Sequence, residues 1–193
     1  MTRPTLEIRP VDAALWPDLE AFFEARGGPH FCWCMAWRPK PAEVRDLRGA
    51  ARKAALKDAL AGQVRRGEPV GVLGYANGLP VAWCSIAPKA GYRRLGGPPE
   101  TEVEGGAIWA IACFFIRRDR RGQGLMTAML AGAVAEARRR GAAAIEAYPV
   151  DRDAPSYRFM GFVDVFRRAG FHETGRAGHR RHVMRLELAA PDT

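Results

Sequence analysis

The stretch from Ala107 to Gly141 constrains this chain most. Its opening, Ala-Ile-Trp-Ala-Ile-Ala-Cys-Phe-Phe-Ile, is apolar throughout. In a strand, Ile108, Ala110, Ala112, Phe114 and Ile116 point one way, and Trp109, Ile111, Cys113 and Phe115 the other. A strand apolar on both faces is covered on both, so it is central to its sheet. From Leu125 the period changes. Met126, Met129, Leu130, Ala133, Val134 and Ala137 recur at helical spacing and make one apolar stripe. Arg138, Arg139 and Arg140 set positive charge at the negative end of that helix, and Gly141 suits the left-handed position just beyond it.

Between strand and helix lies Arg117-Arg118-Asp119-Arg120-Arg121-Gly122-Gln123-Gly124. A glycine turn feeding a helix aims main-chain N–H groups outward at the positive end of the helix dipole. That is an anion site, and a phosphate suits it best. Two common phosphate-binding patterns fail here. A dinucleotide fingerprint starting at Gly122 needs glycine at 127, which is Thr127. A P-loop needs Gly-Lys-Ser/Thr after four intervening residues, and no such run exists. The alternative is that both glycines serve only a tight turn.

A chain of 193 residues is about one domain. No internal repeat or low-complexity linker divides it, so a single domain over 1–193 is expected. The net charge of +9 suits either nucleic acid or a cofactor rich in phosphate. The arginines are spread along the chain and not gathered in one stripe with interleaved aromatics, which argues against nucleic acid. No apolar run reaches membrane length and the N-terminus lacks an apolar signal core, so no membrane partner and a cytoplasmic location are expected. Four cysteines do not make a disulfide framework, and Cys84 and Cys113 read as small core residues.

Before the central unit, Thr5 to Arg9 reads as a strand. Asp12 is a plausible N-cap, with Pro17 in the first turn of a helix whose stripe is Leu15, Leu19, Phe22 and Phe23. Gly27-Gly28-Pro29 stops it. In His30-Phe-Cys32-Trp33-Cys34-Met-Ala-Trp37, Cys-x-Cys beside histidine hints at metal. The second ligand pair of a zinc site is missing, which favours an aromatic plug over the core, so no metal is expected. Pro41 to Arg66 reads as one helix. Pro69 to Ala76 and Leu79 to Ala87 read as a hairpin turning at Asn77-Gly78. After the long helix, Ala142 to Val150 is a buried strand carrying Glu146, parallel to the central one as in a right-handed βαβ unit. Tyr157 to Ala169 reads as a helix, and Phe171 to Thr174 and Arg180 to Leu188 as the closing strands.

Arg121-Gly122-Gln123-Gly124-Leu125-Met126, directly after a central strand, resembles the acyl-CoA pyrophosphate loop of the GNAT acetyltransferases, Gln/Arg-x-x-Gly-x-Gly/Ala. Arg121 and Gly124 match; Met126 stands where the family has a small residue. The closing Val165-Phe166-Arg-Arg-Ala-Gly170-Phe171 is similar to the family's frequent Tyr-x-x-x-Gly-Phe, with Phe166 at the tyrosine position. The element order resembles the family's over nearly the whole chain. The resemblance implies an α/β (α+β) fold: a mixed central sheet of about six or seven strands with helices on both faces.

It also implies an N-acetyltransferase that moves the acetyl group of acetyl-CoA, its co-substrate, directly to a primary amine. By position in the family, the pyrophosphate loop carries Arg121, Gly122, Gln123, Gly124, Leu125, Met126 and Thr127. Pantetheine would lie along Phe114, Phe115 and Ile116, where a main-chain N–H would stabilise the thioester oxyanion. The family's strand carboxylate is absent at Trp109 and Ala110. Glu104 and Glu146 are the candidate bases, with a structural ion pair as the other reading of Glu146. Tyr148 and Tyr157 are candidate acids or packed aromatics. Trp33 and Trp37 fall where the family walls its acceptor pocket. The acceptor is a small-molecule or peptide amine left unidentified, and a homodimer is common in the family. Met126, Phe166 and the missing carboxylate keep open an acyl-CoA-binding module without catalysis, and the charge keeps open a nucleic-acid binder.

Overall fold

A computed structural model describes residues 6–38, 42–99 and 106–188. Glu104 lies outside the described residues. The strands are β1 (Glu7–Pro10), β2 (Val72–Ala76), β3 (Leu79–Pro88), β4 (Ile108–Ile116), β5 (Ala144–Ala147), β6 (His172–Ala177) and β7 (Arg181–Glu187). The helices are α1 (Trp16–Glu24), α2 (Gly49–Arg65), α3 (Leu125–Arg139) and α4 (Val163–Arg168). One sheet runs β1-β2-β3-β4-β5-β7-β6. Every neighbouring pair is antiparallel except β4 with β5, which α3 connects as a parallel crossover. The seven-stranded mixed sheet with helices on both faces is the fold that the resemblance implies.

The alternation of the strands sorts the core into two faces. Val72, Cys84, Ile86, Ile111, Ile145 and Met184 pack under α3 and α4. Leu73, Tyr75 and Trp83 pack under α1 and α2 on the other face. The central strand is covered on both faces, as its sequence requires. No helix among the described residues is long and apolar enough to cross a membrane.

Three local expectations are corrected. Asp12 does not cap α1: its carboxylate accepts the Leu15 N–H at 3.0 Å in a turn one step earlier, and the helix opens at Trp16 without a side-chain cap. The segment from Pro41 to Arg66 is not one helix. A short 3-10 turn, Ala42–Arg45, precedes α2, which starts only at Gly49, in the left-handed region at φ +53°. Tyr157 to Ala169 is likewise broken. A 3-10 turn, Arg158–Met160, ends at Gly161, whose φ is +93°, and α4 follows.

α3 ends as its arginines suggest, with Gly141 left-handed at φ +74°. Its buried Glu136 accepts from Arg139 at 2.8 and 2.9 Å and from Arg140 at 2.7 Å. Burial alone would raise this carboxyl, but the two guanidiniums outweigh it and hold Glu136 below the usual carboxylate range. A carboxyl depressed in the folded state stabilises the fold above its unfolded pKa and loses that contribution as pH falls through the folded pKa. Glu136→Gln should therefore lower the melting temperature at pH 7. The melting temperatures of the two proteins should converge only as pH falls below the ordinary glutamate range, and melting temperature measured against pH checks this.

Candidate functional site

The site begins where β4 and β5 part. Their register runs from Ile108↔Ala144 to Ile111↔Ala147 and stops. On its other edge β4 stays paired to β3, but with a bulge. Ser85 faces Cys113 and Ile86 faces Ile111, so Ala112 is an extra residue that kinks the strand. Beyond Ala147 the chain of β5 turns to other partners. Val150 donates to Gly161 O at 3.0 Å, accepts from Val163 N at 3.1 Å and bridges to Arg181. Among the described residues, the edge of β4 from Ala112 to Ile116 thus has no strand beside it on this side, and a cleft of about 700 Å3 opens there.

The turn after β4 closes the end of this cleft. Gly122 and Gly124 are both left-handed, at φ +77° and +76°. Only this conformation lets the chain leave Arg121 and enter α3 so abruptly, and a residue with a Cβ adopts it at a cost. The Arg121 guanidinium donates to Ile116 O at 3.1 Å and Gln123 donates to Asp119 O at 3.4 Å, pinning the turn from both ends. α3 has no side-chain cap. Among the described residues, the main-chain N–H groups from Gly122 to Met126 find no acceptor. They form a run of unpaired donors at the positive end of a helix.

Phe114, Phe115, Ile116, Arg121, Gly122, Gly124, Leu125, Met126 and Thr127 all line this one cleft. Gln123 does not, because its amide is turned back to Asp119. Met126, the departure from the family pattern, finds its room at Gly161. A Cβ on Gly161 would lie 2.3 Å from the Met126 methyl, so that methyl takes the space a side chain there would fill.

Sequence reasoning missed the opposite wall. It carries Arg152, Arg158, Phe159, Phe162 and Arg168. Arg152 and Arg168 share Asp164 at 2.7 and 2.8 Å. Arg152 and Arg158 each stack on the Phe162 ring at 5.1 Å. With Arg120 and Arg121, five arginines and no described carboxylate line the cleft. The available signal was the dense arginine between 152 and 168. Reading Tyr157 to Ala169 as one helix hid it for Arg158 and Arg168.

The remaining expected residues lie elsewhere. Glu146 is buried on the α1–α2 face. It pairs with Lys89 at 2.6 Å and Arg185 at 3.8 Å and accepts the Tyr148 hydroxyl at 2.8 Å, so the structural ion pair is the reading that the geometry supplies. Trp33 cannot wall a pocket. It is fully buried, stacked on Trp16 at 5.8 Å and packed on Phe23 at 5.2 Å, the centre of an aromatic plug. The Trp83 indole N–H points at the buried Cys34 thiol in the same plug, and Cys32 is pushed up by its contact with Cys34 and by burial. All four cysteines are free thiols. Trp37 and Tyr157 are half-buried and face each other, ring centroids 6.4 Å apart. Phe166, at the family's tyrosine position, is fully buried against Phe114 and Phe171.

The sheet thus parts beside its bulged central strand, with a glycine turn and a helix start at the mouth of the gap. Residues 30–162 match the model of the acetyltransferase (GNAT) family. The chain belongs to that family. No curated protein sequence matches it. Among solved structures it is similar to the PaiA N-acetyltransferase of Thermoplasma acidophilum in complex with coenzyme A, at 12% identity and TM-score 0.56, covering 95% of this chain and 99% of that one. It is similar to an N-acetyltransferase of Staphylococcus aureus Mu50 at 14% identity and TM-score 0.56, covering 96% and 99%. It is also similar to the ribosomal-protein-alanine N-acetyltransferase of Brucella melitensis at 19% identity and TM-score 0.52, covering 95% and 100%. At such identities the likeness is one of fold.

Proposed function

We propose that the cleft binds acetyl-CoA and that the chain acetylates a primary amine. The observation that carries this is the run of unpaired N–H groups from Gly122 to Met126 beside the free edge of β4. The two parts fit the two ends of one ligand. The amide run and the surrounding arginines suit a pyrophosphate. A strand edge without a partner suits the two amides of pantetheine, which pair with it as another strand would. That a protein of the same fold was solved with coenzyme A supports the reading.

Acetyl-CoA supplies the acetyl group already activated as a thioester. The amine lone pair forms the C–N bond as the C–S bond breaks; the nitrogen loses a proton and the thiolate gains one. A main-chain N–H on the free edge of β4 is the group suited to hold the carbonyl oxygen as charge develops on it, a contribution of roughly 3–4 kcal/mol in acyl transfer. Phe166 has no proton to give. None is needed early, because a thiolate leaves far more readily than an amide nitrogen.

Calorimetric titration with acetyl-CoA, with NADH and ATP as controls, followed by free-thiol release over an amine panel, tests the proposal. Saturable binding of acetyl-CoA alone, then thiol release with one class of amine, is the expected result. Binding without release for any amine would leave an acyl-CoA-binding module. No binding of acetyl-CoA or longer acyl-CoAs would make the glycine turn purely structural.

A further inference from the structure

On the other side of the 3-10 turn Arg158–Met160 lies a second constellation. Arg158 and Phe159 face the cleft. Tyr157 and Met160 face away, onto a cluster with Ala110, Ala112, Tyr148 and Trp37. At its centre is the guanidinium of Arg181. It lies 4.6 Å from the Trp37 ring centroid, 5.1 Å from Tyr157 and 6.0 Å from Tyr148. One of its nitrogens donates to Leu95 O at 2.7 Å. Its main chain bridges to Val150, past the last β4–β5 pair, so it stands where the two strands have separated.

This cation has no carboxylate partner among the described residues. The neighbouring acids among the described residues are engaged elsewhere. Asp151 and Glu173 flank His182 at 3.1 and 3.0 Å, and Glu146 is held by Lys89 and Arg185. Burial accordingly lowers the Arg181 pKa below the ordinary guanidinium value, with only the two tyrosines acting against it. A second guanidinium, Arg93, lies 5.9 Å from the Trp37 ring and adds to the positive field. Arg181 is half-buried, not sealed. Its rings and its one main-chain bond already fix its rotamer. Its other N–H groups remain for a planar anion, which arginine grips in a two-pronged fork.

We propose that Arg181 recognises a carboxylate on the acceptor, so that the substrate is an amine carrying a carboxylate, as an amino acid does, with Trp37 and Tyr157 flanking its side chain. This rests on the acetyl-transfer reading above and adds the acceptor class. The other role open to Arg181 is a strut that ties the Leu95 loop to β7.

The test uses matched acceptors that share a skeleton: L-phenylalanine, L-phenylalaninamide and 2-phenylethylamine, and L-leucine with 3-methylbutylamine. The protein should prefer the carboxylated member by roughly 10- to 100-fold in kcat/KM, the range of a charge-assisted hydrogen-bonded pair, and chiefly through KM. In Arg181→Met this preference should collapse toward unity, and Arg181→Lys should restore part of it. Acetyl-CoA affinity, to which Arg181 makes no contact, should stay within about twofold in both variants. A measurement on the unaltered protein guards against misfolding of the variants: 3-phenylpropionate should inhibit competitively against the amine, and its amide should not. Equal use of carboxylated and decarboxylated amines, no inhibition by 3-phenylpropionate, or discrimination that survives Arg181→Met would overturn the assignment and leave acetyl transfer standing. Loss of acetyl-CoA binding in the unaltered protein would remove both readings together.

Discussion

Replacing Gly122 and Gly124 together with valine should weaken acetyl-CoA binding by at least about 100-fold, some 3 kcal/mol. Both residues are left-handed and nothing lies within 4 Å of a Cβ built on either, so the obstacle is conformational, not steric crowding. A β-branched residue at positive φ is a true outlier, costing about 1–2 kcal/mol at each position. The turn has two ways out. If it keeps its shape, the strain appears as a lower melting temperature and the new side chains project into the space beside the amides. If it relaxes, the amides turn away and the melting temperature survives. Either way the ligand loses its donors. Titration calorimetry paired with a melting curve separates the two routes, and undiminished affinity with an intact melt would remove the turn from the binding site.

Arg38→Ala should have the largest effect on stability, about 3–5 kcal/mol. Arg38 is 2% exposed and no ion pair to a described carboxylate holds it. It donates to Val70 O at 2.7 Å, to Gln63 at 3.2 Å, to Ser85 at 3.3 Å and to the Tyr92 hydroxyl at 3.2 Å. Its guanidinium also stacks on the Tyr92 ring at 4.7 Å, and burial pushes the Tyr92 hydroxyl up to about 12. One side chain thus ties the end of α2, the lead into β2, strand β3 and the loop after it to the segment that carries Trp37. Alanine leaves a large cavity and four acceptors without their donor. Arg38→Met fills most of the volume and should cost less, about 1–3 kcal/mol, because only the hydrogen bonds are lost. For a chain of this size the alanine variant should melt on the order of 10 °C lower. Equal melting of the two variants would mean that the donor network, and not packing, is what Arg38 provides.

The contrast between these two sites explains what could be read from the sequence. The glycine turn is legible because every part of it is local. A doubly apolar strand, two glycines and an amphipathic helix follow one another, and backbone rules link them without reference to the rest of the chain. The hairpin at Asn77-Gly78 is legible for the same reason: its two left-handed residues are demanded by the turn itself. Arg38 carries no such mark. Its surroundings come from four separate segments, and a buried arginine looks like a surface arginine until they meet. Gly161 breaks a plausible helix because the Met126 methyl needs its space, a requirement set 35 positions away. Trp33 looks like a pocket wall and is the middle of the core, since only packing tells a buried indole from an exposed one. The arginines of the far cleft wall were visible singly. Their convergence depends on where the chain of β5 goes after it leaves β4.

The order of strands also has a consequence for how the chain is assembled during synthesis. β1 to β4 neighbour one another in the order in which they are made, so that half of the sheet can pair as it emerges. The other half cannot. β7, the last strand described, lies between β5 and β6 and is the only sheet partner that β6 has among the described residues. Until it arrives, β5 and β6 present facing edges with an empty lane between them. The strand that ends the fold is therefore the one that completes it, and it brings Arg181 into place as it enters.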